Sequence, residues 1–306
     1  MLREIGRVEA IFRYPVKSMG GEPLAVANLG WHGLDGDRRL AFRRIDYRGG
    51  GFPWLSASHL PDLLRFAPLR RENGAQGDLP THIRTPDGEE MPVFGELLAT
   101  EVGRRYGAPV QMMHLKHGIF DEANISVIAS DTVREIGRLA GRSLDVRRFR
   151  PNVLVRLPRS VPFQEDEWVG GVLSFGQADD APAISVTMRD VRCSMVNLDP
   201  DSASSAPEVL KAIVAANQNN AGVYGAVARI GRLEVGQTIF LRAATEQTEP
   251  TEQQNYAAPT AAAFSGPITA CMPADTTSCA RRPSRCEVGN GFPARQQSMK
   301  AANSAL

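Results

Sequence analysis

The sequence predicts a β-rich α+β protein, and three observations predict it. Short stretches with period-two alternation recur along most of the chain. Gly- and Pro-centred turns separate them at close intervals. Only a few segments carry a 3.6-residue apolar period. The 306 residues suffice for one large or two ordinary domains.

The opening "GRVEAIFRYPVKS" alternates, with Val8, Ala10 and Phe12 on one face, and turns at Tyr14-Pro15. "GLDGDRRLAFRRID" sets two turn glycines before a strand from Leu40 to Ile45. "FPWLSASHLPDLLRFAPL" reads as a loop and a short helical turn. "THIRTPDGEEMPVF" reads as a hairpin bent at Pro86-Asp87-Gly88. These elements predict a β-rich unit over residues 1–108.

A second unit, residues 109–242, starts with the strand-like "APVQMMHL". A helix follows, with Ser130 or Asp131 as its cap, Val133, Ile136 and Leu139-Ala140 on one face, and Gly141 at its end. "PNVLVRL" is a strand whose proline stands first, where the missing N–H costs least. "AISVTMRDVRC", "VYGAVARIG" and "GQTIFLR" are further strands, and "APEVLKAIVAANQ" is a helix after Pro207. Residues 243–306 are rich in Ala, Thr, Pro, Gln and Ser without apolar period. They are expected to be a disordered tail, unable to offset their ordering entropy.

The net charge of +1 gives no field that favours nucleic acid or an anionic membrane. Charges at Arg3, Glu4, Arg7 and Glu9 break any signal-like run, and no stretch has spanning length, so a cytoplasmic protein is expected. The cysteines are Cys193, Cys271, Cys279 and Cys286, with no Cys-x-x-Cys pair, which argues against a zinc ribbon.

Chemistry centres on "DVRCSMVNLDPDS", residues 190–202. Cys193 is either a small buried hydrophobe or a reactive thiolate. Arg192 beside it favours the thiolate if the side chains meet, and a soft thiolate suits a soft metal. One sulfur cannot hold a metal alone, so further ligands must come from elsewhere, a cofactor included. Lys17 and Ser18 after the Pro turn, Arg38 after a glycine turn, and Arg150 with Asn152 at a strand start are candidate anion donors. Arg39, Arg43, Arg44, Arg147 and Arg148 read as solvated charge. The five histidines read as surface or packing residues, with His32 the one placed nearest a ligand.

Seven stretches, taken in order, resemble one family. They are "YPVKSMGGEPL", "GLDGDRRLAF", "VIASDTV", "RFRPNVLV", "FQEDEWVG", "RCSMVNLDPDS" and "NNAGVYGAVARIGRLEVGQTI". Over residues 3–242 the chain resembles MOSC-domain proteins with an N-terminal MOSC β-barrel region. That group includes bacterial reductases of N-hydroxylated compounds and the mitochondrial amidoxime-reducing component. The resemblance implies a β-barrel-like N-terminal region, a MOSC β-barrel with a few helices, and the molybdenum cofactor (molybdopterin).

It implies Cys193 as molybdenum ligand and catalytic residue. Lys17, Ser18 and Arg38 would hold the cofactor phosphate. Ser130, Arg150, Asn152, Arg192 and Asp199 would be further cofactor contacts. The expected activity is reduction of N–OH to N–H in a small substrate, with electrons from a separate ferredoxin or flavoprotein reductase. A non-catalytic cofactor carrier or sulfur relay is the alternative, without pyridoxal phosphate in this chain.

The chain departs from the pattern in three places. Asp190 stands where many members have a second cysteine, and is assigned a catalytic place with Cys193. Ser56-Ala57-Ser58 replaces Thr-Ala-Arg, and Ser202-Ala203 replaces Thr-Gly. Some relatives continue into a plant-type ferredoxin domain. The tail spacing of Cys271, Cys279 and Cys286 does not fit that cluster, so the tail is either a degenerate remnant or a plain extension.

Overall fold

A computed structural model describes residues 2–49, 51–71 and 77–243. The expectation of a disordered tail, and the tail cysteines, lie outside the described residues.

In chain order the first strands are β1 (Leu2–Arg13), β2 (Glu22–Leu24), β3 (Val26–Gly30), β4 (Gly33–Leu34) and β5 (Leu40–Arg44). A 3-10 turn, Pro61–Arg65, precedes β6 (Ala67–Leu69), β7 (His82–Arg84) and β8 (Glu90–Pro92). Next come α1 (Glu96–Tyr106), β9 (Val110–His114), β10 (Ile125–Ala129), α2 (Ser130–Leu139), β11 (Val153–Arg156) and β12 (Val172–Ser174). The chain then forms β13 (Ala183–Val191), α3 (Glu208–Asn217), β14 (Asn220–Arg229), β15 (Gly231–Glu234) and β16 (Thr238–Arg242).

Seven strands close into a barrel in the order β11-β10-β14-β13-β12-β16-β1, with β1 pairing back onto β11. Closure removes exposed strand edges. β10 and β11 are parallel, while the other barrel pairs are antiparallel. The expected β-rich α+β class, with a barrel and three helices among the described residues, is what the chain adopts. The expected boundary near residue 108 is crossed in both directions. β1 belongs to the barrel, and β9 pairs with β5.

Alternation places Ile125, Val127 and Ala129 of β10 in the cluster that also takes in Val153, Val155, Val186, Val223 and Ile239. Ile128 points the other way. It joins Val133 and Ile136 of α2 and Val209 and Ile213 of α3. A third cluster gathers Val16, Met19, Leu40 and Phe42 with Leu98 and Val102 of α1. α1 is a helix that the alternation reading did not anticipate. It starts at Gly95 and ends on left-handed Gly107. α2 has Ala129 as its cap, so neither Ser130 nor Asp131 caps it.

The start of α2 is tied down by Glu165, which is fully buried in the 3-10 turn Gln164–Trp168. Its carboxylate accepts from Ala129 N at 3.2 Å and from Thr132 Oγ1 at 2.9 Å. Burial, the dominant influence, pushes the Glu165 carboxyl up from 4.5 to about 7. The folded chain keeps this proton at pH values where the unfolded chain has released it. The stabilisation is therefore complete below 4.5 and is lost as pH rises to about 7. Its loss amounts to roughly 2–3 kcal/mol. Urea unfolding across that window should show stability falling with rising pH in the native chain, and a flatter profile in Glu165→Gln. Identical slopes in the two proteins would remove Glu165 as the cause.

Candidate functional site

β13 carries the central residues. Along it Asp190 turns inward, 1% exposed, and Val191 turns outward, 66% exposed. Arg192 N donates to Asn219 O at 2.9 Å, and the chain then leaves the sheet. Cys193 stands at the head of the 3-10 turn Ser194–Asn197 and is exposed. The buried-hydrophobe alternative for this thiol is thereby removed.

The guanidinium of Arg192 is committed inward. Nε donates to Ala221 O and Nη1 to Phe149 O, each at 2.7 Å, and Nη2 lies 2.8 Å from Asp190 Oδ2. The passage behind it needs a glycine. At Gly222, φ is +84°, and a β-carbon would meet Val127 O at 2.7 Å and Arg192 Nη2 at 3.1 Å. Asp190 Oδ2 also accepts from Ser126 Oγ at 3.1 Å. Burial raises the Asp190 carboxyl from 3.8 to about 6, against the opposing pull of Arg192.

A cleft of about 460 Å3 joins these residues to the cationic candidates. Lys17, Ser18, Arg38, Arg150, Asn152, Asp190, Arg192 and Cys193 all line it. Ser130 and Asp199 do not. Ser130 is buried in the first turn of α2 with its hydroxyl unpartnered. Asp199 holds its own turn, accepting from the N–H groups of Asp201 and Ser202, and pairs with Arg148 at 2.7 Å.

Three cleft residues other than glycine hold a left-handed backbone: Ser18 at φ 63°, Arg38 at φ 50° and Arg150 at φ 49°. Each carries a cost of roughly 1–2 kcal/mol, held by surrounding packing, as is common at functional sites. Arg38 N donates to Tyr14 O at 2.8 Å, and Arg150 N to Arg147 O at 3.1 Å.

Arg38 pairs with the fully buried Asp37, whose other oxygen accepts from Tyr14 N at 2.7 Å. Burial works against the Arg38 charge, but Asp37 outweighs it and raises the pKa. Arg150 has no carboxylate partner among the described residues. Its Nη1 donates to Met19 O at 2.6 Å, and its Nη2 has no partner. Burial, then the neighbouring Arg38, pulls its pKa down to about 10. Lys17 Nζ bonds Asp121 Oδ1 at 2.8 Å and lies 5.0 Å from the Phe52 ring centroid. Burial lowers the Lys17 pKa, partly countered by Asp121. Asn152 is structural as well as cleft-lining. Its Oδ1 accepts from Ser126 N at 3.1 Å and its Nδ2 donates to Phe12 O at 3.3 Å.

Several cleft residues were not anticipated. Arg148 is not solvated charge. It is 7% exposed and donates to Asn197 O and Asp199 Oδ2. His59 enters the wall, and His32 does not. Ser56 Oγ lies 2.8 Å from both His59 Nδ1 and Ser58 Oγ, and all three residues line the cleft. His32 instead stacks on His117, with centroids 4.2 Å apart. Phe120, Asp121 and Ser126 join the lining without any motif to announce them, and Tyr224 joins it from the last of the family-like stretches.

Among the described residues no group of three or more His, Cys, Asp or Glu is placed to hold a metal. A metal at Cys193 would therefore need ligands carried in by its own organic partner. The residues present fit such a group: one exposed thiol, a cleft of suitable size, and a guanidinium nitrogen without a partner. No helix among the described residues is long and apolar enough to cross a membrane.

The fold and the cleft define a small closed-barrel protein with an exposed thiol beside buried guanidinium groups. Residues 114–240 match the family model of the MOSC domain. That family is linked to binding of the molybdenum cofactor. Among solved structures the chain is similar to the YuaD protein (APC1665) from Bacillus subtilis. The two are 15% identical with a TM-score of 0.43, over 79% of this chain and 99% of that one. It is also similar to YiiM from Geobacillus stearothermophilus, at 19% identity and a TM-score of 0.31, over 39% of this chain and 54% of that one. No curated protein matches the chain.

Proposed function

We propose that this protein binds the molybdenum cofactor in the cleft and reduces N-hydroxylated compounds, N–OH to N–H, with electrons from a separate ferredoxin or flavoprotein. One observation carries the reading. The exposed thiol of Cys193 shares a single cleft with Lys17, Ser18, Arg38 and Arg150, whose donors suit a phosphate.

In this reading Cys193 gives one thiolate to the metal, and the four donors, with Asn152, hold the organic part by its anionic end. When bound, the cofactor supplies two-electron oxygen-atom chemistry, and the protein supplies binding, orientation and field. Asp190 is the buried acid of the cleft. Its Oδ2 accepts from Ser126 and pairs with Arg192, and burial raises its carboxyl to about 6, so the group can exchange a proton in mildly acidic to neutral solution. Phe52, Phe120 and Val191 give the cleft an apolar wall.

The test is metal and pterin analysis of the full chain purified from a cofactor-making host. Molybdenum and pterin in near-equal amounts, with reduction of benzamidoxime by a supplied donor, are expected. Protein devoid of both would overturn the reading. The exposure of Cys193 also favours the second reading, a sulfur relay or cofactor carrier. A persulfide on Cys193 seen by mass spectrometry, without turnover, would select it.

A further inference from the structure

Arg150 faces two cavities. Besides the cleft, it lines a separate pocket of about 160 Å3, together with Tyr14, Arg65, Arg147, Pro200 and Asp201. Arg147 and Asp201 largely cancel. Arg147 bonds Asp201 through Nη1 at 3.0 Å and Nη2 at 2.7 Å, and its remaining donors go to Asp145. Arg65 spends Nη1 on Asp62.

Two groups remain unmatched. Tyr14 is 1% exposed, yet its hydroxyl has no partner. Arg150 Nη2 has none either. The Tyr14 ring is fixed in place. Arg150 stacks on it at 4.2 Å and Arg38 at 5.1 Å, and a β-carbon on Gly21 would fall 2.4 Å from a ring carbon. Such buried polar orphans call for a partner that the protein does not supply.

A water would satisfy hydrogen bonds but leave the guanidinium charge uncompensated. An oxyanion does both. We propose that this pocket is a second anion site, which takes a free inorganic oxyanion of the size and charge of phosphate, held by Tyr14 Oη, Arg150 and Arg65. The volume is below the ~300 Å3 at which pockets begin to hold drug-sized ligands, so a bulky phosphoester does not fit. The inference shares Arg150 with the cofactor reading and is separated from it by Tyr14, which lines this pocket and not the cleft.

The experiment is thermal unfolding and titration calorimetry of the full-length, cofactor-free chain with inorganic phosphate. Wild type and Lys17→Ala, which is altered only in the cleft, should both be stabilised by phosphate. Tyr14→Phe should bind phosphate about tenfold more weakly, the usual loss of a hydrogen bond to a charged group. Its melting temperature without phosphate should equal or exceed that of wild type, since only an unpartnered hydroxyl is removed. Equal phosphate affinity in Lys17→Ala and in the double variant Lys17→Ala, Tyr14→Phe would overturn the site, as would loss of all phosphate binding in Lys17→Ala. Glycerol phosphate bound as tightly as phosphate would overturn the free-ion assignment.

Discussion

On the proposed function, Cys193→Ser should lose molybdenum and reduce N-hydroxylated substrate no faster than background, while its melting curve should stay that of the native chain. The two halves of this result have separate causes. The thiol is exposed and makes no cap hydrogen bond to the turn it precedes. Exchange of sulfur for oxygen there changes stability by no more than about 0.5 kcal/mol, as at other surface positions. A hydroxyl is a hard and weakly acidic donor, poorly matched to a soft metal centre that prefers thiolate. The measurements are metal analysis, benzamidoxime reduction and thermal unfolding on the same preparation. Wild-type turnover in the serine variant would end the ligand assignment.

Arg38→Met should unfold far more readily than the native chain, by about 3–5 kcal/mol, the usual cost of stranding one member of a buried ion pair. Asp37 is fully buried, and its remaining partner is the Tyr14 amide. Arg38 also donates from Nη2 to Arg150 O at 2.9 Å, so its loss loosens the left-handed turn that presents Arg150. The double variant Asp37→Asn, Arg38→Met recovers much of the stability, because no uncompensated charge remains, yet it does not recover anion binding in the cleft. Urea midpoints across this double-mutant cycle measure the coupling. A single variant as stable as wild type would show that Asp37 does not depend on Arg38.

Much of the barrel could be read from local pattern. The β1 segment is a strand as its pattern suggests, and α2 carries Val133 and Ile136 one turn apart. A bulge between Val8 and Ala10, however, splits the single face expected for Val8, Ala10 and Phe12. It sends Val8 into the barrel core with Ile11, and Ala10 with Phe12 towards the helices. The hairpin of β7 and β8 follows from its Pro-Asp-Gly bend, with Gly88 N donating to Thr85 O. The closure was not legible. Ile11 of β1 faces Val153 of β11, and nothing in either stretch specifies so distant a partner. Nor was α1, which starts after a glycine with no side-chain cap and whose sequence "ELLATEVGRRY" has as many charged as aliphatic residues.

The cleft shows the same division. Lys17, Arg38, Arg150 and Cys193 could be named only because seven ordered motifs resemble a family. Spacing alone leaves each as one more surface residue. Arg148 was misread because its burial depends on Asn197 and Asp199, some fifty positions away. Ser130 and Asp199 matched motif positions but do not line the cleft: Ser130 lies in the first turn of α2, and Asp199 holds a turn. His59 entered the wall through its bond to Ser56, in a loop without any apolar period to orient it.

The pairing of β1 with β16 has a consequence for how the molecule comes into being. Leu2 lies opposite Arg242, so β1 waits for the much later β16 before both its sides are hydrogen-bonded. Until then the nascent chain carries an open row of amides and carbonyls along β1, the kind of surface that recruits stray strands or chaperones. Pairings of such sequence separation also place this barrel among slow folders, because a long loop must close before the contacts that reward it can form.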